Sequence, residues 1–263
     1  MEIKEISFSY GEHSFIRDLS GKIETGKVTT ILGPNGSGKS TLLNILVRQL
    51  KPGEGDVILE GKSIAQMPVK EIAKKIAMVH QQNTAPSDLT VERLVQYGRA
   101  PYARFGGRLT GADFAVIERM MRLTGVDRMR FRSVATLSGG ESQMAWITMA
   151  LAQQPEILFL DEPTTFLDIS YQLAVLELVR QIQREQKLSV VMVLHDLNQA
   201  ALYSDRIAVV KDGVLTALGT PEELYRDEMF RDVFRVETEK VSYSDGKTYY
   251  IPTKMVPEEQ KHA

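Results

Sequence analysis

The first residues whose types and spacing could do chemistry close a glycine-rich loop. Gly33, Pro34, Asn35, Gly36, Ser37, Gly38, Lys39, Ser40 and Thr41 contain the pattern G-x-x-x-x-G-K-[ST]. Glycines let backbone N–H groups turn inward around phosphate oxygens, and a following helix adds the positive end of its dipole. Lys39 would reach the β- and γ-phosphates, and Ser40 would ligate Mg²⁺. The plainer alternative is a glycine-rich turn before a helix. Asp161 and Glu162 follow the apolar run Ile157 to Leu160. A buried strand ending in a carboxylate is how phosphate-loop proteins hold Mg²⁺, which suits Asp161. Successive strand side chains face opposite ways, so Glu162 could turn toward an attacking water as general base. An acidic pair opening a turn before Pro163 is the other reading. Leu137, Ser138, Gly139, Gly140 and Glu141 form a third set. Ser-x-x-Glu is a capping box, and a capped helix opening on two glycines also offers bare N–H groups to an anion.

Elements must hold these residues. Val28 to Leu32 is a compact β-branched run ending in the loop, and helical spacing follows from Ser40 to Leu50, stopped by Lys51-Pro52-Gly53. Residues 2–10 read as a strand, with short strands expected near Leu19 to Ile23, at Val57 to Leu59 and at Ala77 to His80. The stretch from about 83 to 136 has a different texture and reads as a helical insertion. Asp88 or Thr90 would cap a helix from Val91, a loop would run over 98–111, and helical spacing returns with Phe114, Ile117, Met121 and Leu123. Strand-like runs at 157–160, 190–194 and 206–210, with a helix at about 169–186 after the first, predict an α/β core around a mostly parallel sheet. Thr220 would cap a helix with Pro221 first. Val241 to Ile251, broken by Ser244-Asp245-Gly246, predicts a terminal hairpin, and 257–263 a frayed tail.

At 263 residues, the chain suits one large domain or one domain carrying an insertion. Hydrophobic residues at 43% and charged residues at 25% are globular proportions. The absence of cysteine excludes disulfides, thiolate metal sites and cysteine nucleophiles. A net charge of −2 argues against bulk capture of nucleic acid. No run approaches the roughly 20 apolar residues of a membrane span, and the N-terminus lacks a signal-peptide layout, so a membrane role is expected to come through a partner.

With these motifs in order, the sequence resembles the ATP-binding subunit of an ABC transporter over nearly its whole length. GPNGSGKST at 33–41 is similar to the Walker A motif, LSGGE at 137–141 to the ABC signature, and ILFLDEPTT at 157–165 to Walker B with its catalytic glutamate. Gln81 resembles the Q-loop glutamine, Asp168 the D-loop aspartate, His195 the switch histidine, and Tyr10 the aromatic residue that stacks on adenine. Outside that series, a lone Gln or His after a strand is an ordinary satisfied polar residue. The resemblance implies a P-loop NTPase core with a parallel sheet, an N-terminal antiparallel β subdomain and an inserted helical subdomain, all in one domain over 1–263, with a C-terminal hairpin extension over about 232–255. It implies ATP and Mg²⁺ as ligands, with Ser40, Gln81 and Asp161 at the metal. It also implies a head-to-tail dimer in which Ser138, Gly139 and Gly140 meet the γ-phosphate of the partner's ATP. Ser142 and Met144 stand where the family often carries arginines, and Phe166 where a small residue is common.

Strings such as QQNTAPSDLTVERLVQYGRAPYARFGG are similar to importers of iron–siderophore complexes, haem and vitamin B12. The resemblance therefore implies a homodimer bound to two integral-membrane permease subunits at the cytoplasmic face of the membrane. It would serve a substrate-binding protein indirectly, touch no nucleic acid and energise uptake of a metal chelate, with iron(III)–siderophore favoured. A soluble ABC ATPase acting on nucleic acid or ribosomes, or a cofactor-assembly scaffold, is the alternative. The insertion carries nine arginines, among them Arg93, Arg99, Arg104, Arg130 and Arg132. They read as a solvated face, or as a surface for the partner's loops or anionic lipid.

Overall fold

All five residues of β3 (Val28–Leu32) are buried, as a strand covered on both faces requires. The computed structural model describes residues 1–11, 13–103, 107–244 and 246–257. Before β3 come β1 (Glu2–Tyr10) and β2 (His13–Lys22). After it the chain forms α1 (Lys39–Leu46), β4 (Glu54–Leu59), β5 (Lys62–Ser63), α2 (Val69–Lys75) and β6 (Ile76–Val79). Three helices follow: α3 (Val91–Tyr97), α4 (Gly111–Thr124) and α5 (Gly139–Ala152). Then come β7 (Ile157–Leu160), α6 (Ile169–Gln186), β8 (Ser189–Val193), α7 (Leu197–Tyr203), β9 (Arg206–Lys211) and β10 (Val214–Gly219). The chain ends in α8 (Pro221–Leu224), α9 (Asp227–Met229), a wide helical turn at Phe230–Phe234, β11 (Val236–Ser242) and β12 (Thr248–Met255).

Six strands form the central sheet in the order β10-β9-β3-β8-β7-β6, with β10 antiparallel at one edge and the other five parallel. Its pleat divides the interior in two. Val28, Leu158, Leu160, Val190 and Met192 join the core under α5 and α6, while Ile31, Ile157, Phe159, Val191 and Val193 join the core with α1 and the second sheet. That second sheet is antiparallel, β2-β1-β4-β5. Its register shifts between Ile3 and Ile6, where Glu5 takes φ 48°, and this bulge lets residues three apart both point inward.

Several boundaries differ from the sequence expectation. The strand expected near Leu19 to Ile23 starts at His13, because a left-handed Asp18 (φ 43°) interrupts its alternation. The helix expected to Leu50 ends at Leu46. There Arg48 turns left-handed (φ 62°) and Asn44 O accepts the amides of Gln49 and Leu50. β6 spans Ile76–Val79, so His80 lies beyond it. The sequence pattern marks none of β5, β10, α2, α7 and α9. Thr90, not Asp88, caps α3, and Thr220 caps α8 with Pro221 in its first turn, as expected. The terminal strands run beyond 241–251 at both ends. Asp245, Arg104 and the tail from 258 lie outside the described residues.

Helices α3 and α4 pack on α5, and Arg99 ties them to the rest. Its buried guanidinium gives Nε and Nη2 to Asp113 Oδ1 (2.9 Å each) and Nη1 to Ala152 O and Gln154 Oε1 (3.0 Å each), 3.8 Å over the Tyr102 ring. Three more of the nine arginines are also committed to carboxylates: Arg122 and Arg130 to Glu118, and Arg132 to Glu141. The Thr110 hydroxyl and amide, and then Arg99, hold the Asp113 carboxyl below the usual range. Removing one member of a buried pair costs about 3–5 kcal/mol. Arg99→Met should therefore lower the urea midpoint by that equivalent at unchanged m-value. The stabilisation from Asp113 is full above the ordinary aspartate pKa of about 3.9 and lost as pH falls through its lowered folded value.

Candidate active site

The loop after β3 is shaped by what surrounds it. A Cβ on Gly33 would stand 1.9 Å from Val210 O on β9, so only glycine fits that crossing. Gly38 takes φ 98° and opens α1 with no side-chain cap, whereas Thr90, Thr110, Ser138, Asp168, Asp196 and Thr220 cap their helices. The first amides of α1 are thus left to an anion. Lys39 is 6% exposed, and its Nζ donates to Gly33 O (2.9 Å) and Pro34 O (2.8 Å). Burial pulls its pKa down, against the pull of Glu162 and Asp161. The buried Ser37 hydroxyl has no hydrogen-bond partner among the described residues. An uncapped helix start, a buried ammonium held only by carbonyls and a spare hydroxyl fit a phosphate chain.

Asp161 follows β7 and is buried, which raises its pKa, while the Ser40 hydroxyl, donating to Oδ1 at 3.1 Å, opposes the rise. This pair of hard oxygens beside a phosphate site suits Mg²⁺, which takes one or two protein oxygens and fills its octahedron with water and phosphate. No group of three or more His, Asp or Glu side chains placed to hold a metal gathers anywhere among the described residues, this site included.

Glu162 reaches the cleft by a different route from the strand alternation expected. β7 has already ended, and a left-handed backbone (φ 50°) turns the residue. Its Oε2 accepts from Gln81 Nε2 (2.6 Å) and Thr165 Oγ1 (3.1 Å), and its Oε1 lies 2.7 Å from His195 Nε2. Gln81 follows β6 and His195 follows β8, the two neighbours of β7. The carboxylate is therefore reached from both sides.

These groups open on one cleft of about 510 Å³, lined by Asn35, Gly36, Gly38 to Thr41, Gln81, Glu162, His195 and also Phe15, Thr165 and Phe166. That volume is usual for a small-molecule site. Tyr10 is half exposed, edge-on to Phe8 (4.8 Å) and to Phe15 (5.3 Å). Thr165 closes the ILFLDEPTT string, whereas nothing in the sequence pattern marks Phe15. Phe15 sits in the unread half of β2, and the signal available was its place in a strand facing Tyr10.

Ser138, Gly139, Gly140 and Asp168 do not line this cleft. Ser138 and Glu141 form the expected capping box on α5. A Cβ on Gly140 would lie 2.2 Å from the Tyr171 ring, so α5 and α6 meet without clearance. Asp168 caps α6, accepting from Tyr171 N (3.0 Å) and Ser170 Oγ (2.7 Å), and these bonds hold its carboxyl below the usual range. The two segments form a second surface, made of helix starts.

Residues 16–165 match the family model described as ABC transporter. The chain is 42% identical to the petrobactin import ATP-binding protein FpuC of Bacillus anthracis, over 97% of this chain and 93% of that one. It is 40% identical to the iron(3+)-hydroxamate import ATP-binding protein FhuC of Bacillus subtilis (92% and 90%). It is also 40% identical to the ferric enterobactin transport ATP-binding protein FepC of Escherichia coli (88% and 85%). Among solved structures, an inward-facing ABC transporter assigned to the metal-chelate type shares the fold at TM-score 0.84 and 23% identity, over 96% of this chain and 97% of that one. A bacterial ABC cassette solved as a dimer superposes at TM-score 0.74 and 29% identity (84% and 98%).

Lys39→Met removes the buried charge and keeps most of the volume. The unfolding free energy without nucleotide should stay level or rise by up to about 1 kcal/mol. At a hundred times Kd, the wild-type chain should gain about 2.7 kcal/mol from a nucleoside triphosphate, and the variant none. Denaturant titrations with and without nucleotide measure both.

Proposed function

The chain belongs to the ABC transporter family, as an ATP-binding subunit that hydrolyses ATP, and from that premise we propose that it drives import of an iron(III)–siderophore chelate through a separate membrane permease. The observation that carries the catalytic reading is the meeting of Gln81 and His195 on the Glu162 carboxylate, beside Lys39 and Ser40. The substrate reading is supported by relatives at 40–42% identity named for petrobactin, hydroxamate and enterobactin import.

Lys39 leaves the carbonyls of Gly33 and Pro34 to meet the β- and γ-phosphates, trading neutral partners for charged ones. Gly33 to Thr41 wrap the phosphates with backbone amides, and Tyr10, seated on Phe15, offers its ring to the adenine. Ser40, Asp161 and Gln81 would hold Mg²⁺, which neutralises phosphate charge when bound. Glu162 orients the attacking water and takes its proton. His195 and Gln81 release the carboxylate as the nucleotide enters, and His195 turns to the γ-phosphate. A second copy supplies its own Ser138, Gly139 and Gly140 at the amino end of α5, with Asp168 beside them, so two chains close head to tail over two ATP molecules. The dimeric cassette among the solved relatives supports this arrangement.

No helix among the described residues is long and apolar enough to cross a membrane. The assembly proposed places two copies on two permease subunits at the cytoplasmic face, with a substrate-binding protein delivering the chelate outside. The helices after the Q-loop offer the surface for the permease.

Glu162→Gln keeps the size and removes the base. Turnover should fall by at least about 10²-fold, and ATP should convert the chain to a dimer on size exclusion. A tagged form of this variant, recovered from its native cells in ATP, should bring down a polytopic permease and a substrate-binding protein. Recovery of soluble partners or ribosomes alone would overturn the importer reading.

A further inference from the structure

The C-terminal extension reaches back to the catalytic histidine. His195 sits in the turn between β8 and α7. β8 is fixed in the sheet, but α7 has seven residues, and among the described residues only Ala200 of it is fully buried. A helix that short holds no position by itself. Asp196 caps its first turn, accepting from Asn198 N and Gln199 N, and bonds from elsewhere tie that turn down. The Asn198 side chain pairs with the backbone of Tyr250 on β12 as a strand would: Tyr250 N donates to Oδ1 at 2.7 Å, and Nδ2 donates to Tyr250 O at 3.2 Å. The Tyr225 hydroxyl donates to Leu197 O at 2.8 Å, two residues from His195.

These two anchors are themselves one unit. The rings of Tyr225, Phe230 and Tyr250 lie 5.0–5.2 Å apart and are each buried to within 8%. Burial pushes the Tyr225 phenol up, which keeps it a donor. The same first turn also faces the other catalytic surface. Gln199 Nε2 donates to Gln172 Oε1 (2.7 Å), and Gln172 Nε2 donates to Leu167 O (2.9 Å), next to Asp168.

We infer that the C-terminal segment from Tyr225 through the hairpin extension is a positioning element for hydrolysis: through Asn198 and Tyr225 it fixes the start of α7 and with it the reach of His195 to the reacting phosphate. Neither residue touches the nucleotide cleft, so both act through His195. Small displacements of such a group cost rate rather than binding. The inference rests on the catalytic role proposed for His195, and His195→Ala tests that role separately, since full turnover in that variant would remove it.

Tyr225→Phe removes one hydroxyl and keeps the ring packing, and Asn198→Ala removes the strand-like pair. In the full-length chain, each should lower kcat for ATP hydrolysis by roughly 3- to 10-fold, with KM for ATP within about twofold of wild type. Asn198→Asp, which keeps the acceptor for Tyr250 N, should recover part of the loss. In histidine-labelled protein, the His195 imidazole resonances should shift in both variants, while those of His13 stay. An unchanged kcat in Tyr225→Phe would overturn the inference. So would a KM rising in step with the loss, or a loss of kcat with the His195 resonance unmoved. If Asn198→Ala fails to fold, Tyr225→Phe decides alone.

Discussion

Parallel pairing along β3, β8, β7 and β6 is the constraint on which the site depends. Neighbouring strands lie about 4.8 Å apart, and in a parallel sheet their carboxyl ends share one edge. That edge carries, in spatial order, the phosphate loop after β3, His195 after β8, Asp161 and Glu162 after β7, and Gln81 after β6. Residues as far apart in sequence as Gln81 and Glu162, 81 positions, therefore become neighbours at one strand spacing. Glu162 stands between Gln81 and His195 because its strand stands between theirs. An antiparallel sheet would send half of these groups to the far side of the molecule.

The electrostatics follow from the same edge. Lys39 is drawn out of water and held by carbonyl oxygens, while Asp161 is drawn in beside a serine hydroxyl. Each is poorly matched without an anion or a cation, and burial moves both pKa values toward the uncharged form. Such groups cost folding stability. Glu162 is matched better, with three side chains on its two oxygens. In the role proposed for Glu162, these partners would be exchanged for a water.

Much of the site was legible in the sequence because phosphate chemistry demands particular residue types at fixed spacing. The loop at 33–41 opens α1, Ser138 and Glu141 form the capping box, and Asp161 ends β7 beside Ser40, each as the pattern suggested. The reason offered for Glu162 did not survive, since a left-handed backbone turns it and not the strand pleat. Elements away from the site were less legible. Residues 2–10 form β1 as read, but a left-handed Asp18 breaks the alternation that would have marked β2, and with its first half went Phe15. α7 is too short to show a helical period. The arginines of the insertion looked like a surface, yet Arg99 is buried on Asp113, a partner fourteen residues on. Partners fixed by tertiary contact leave little trace in local pattern.

The contact of Gly140 with Tyr171 bears on how the molecule would transmit motion. With no Cβ and no clearance, the start of α5 rests directly on a ring in the first turn of α6. Close-packed surfaces of this kind resist sliding and move as blocks. A tilt imposed on the helical layer from outside would be handed to the Leu167–Asp168 turn without backlash, as between meshed gear teeth. A larger residue would force the teeth apart.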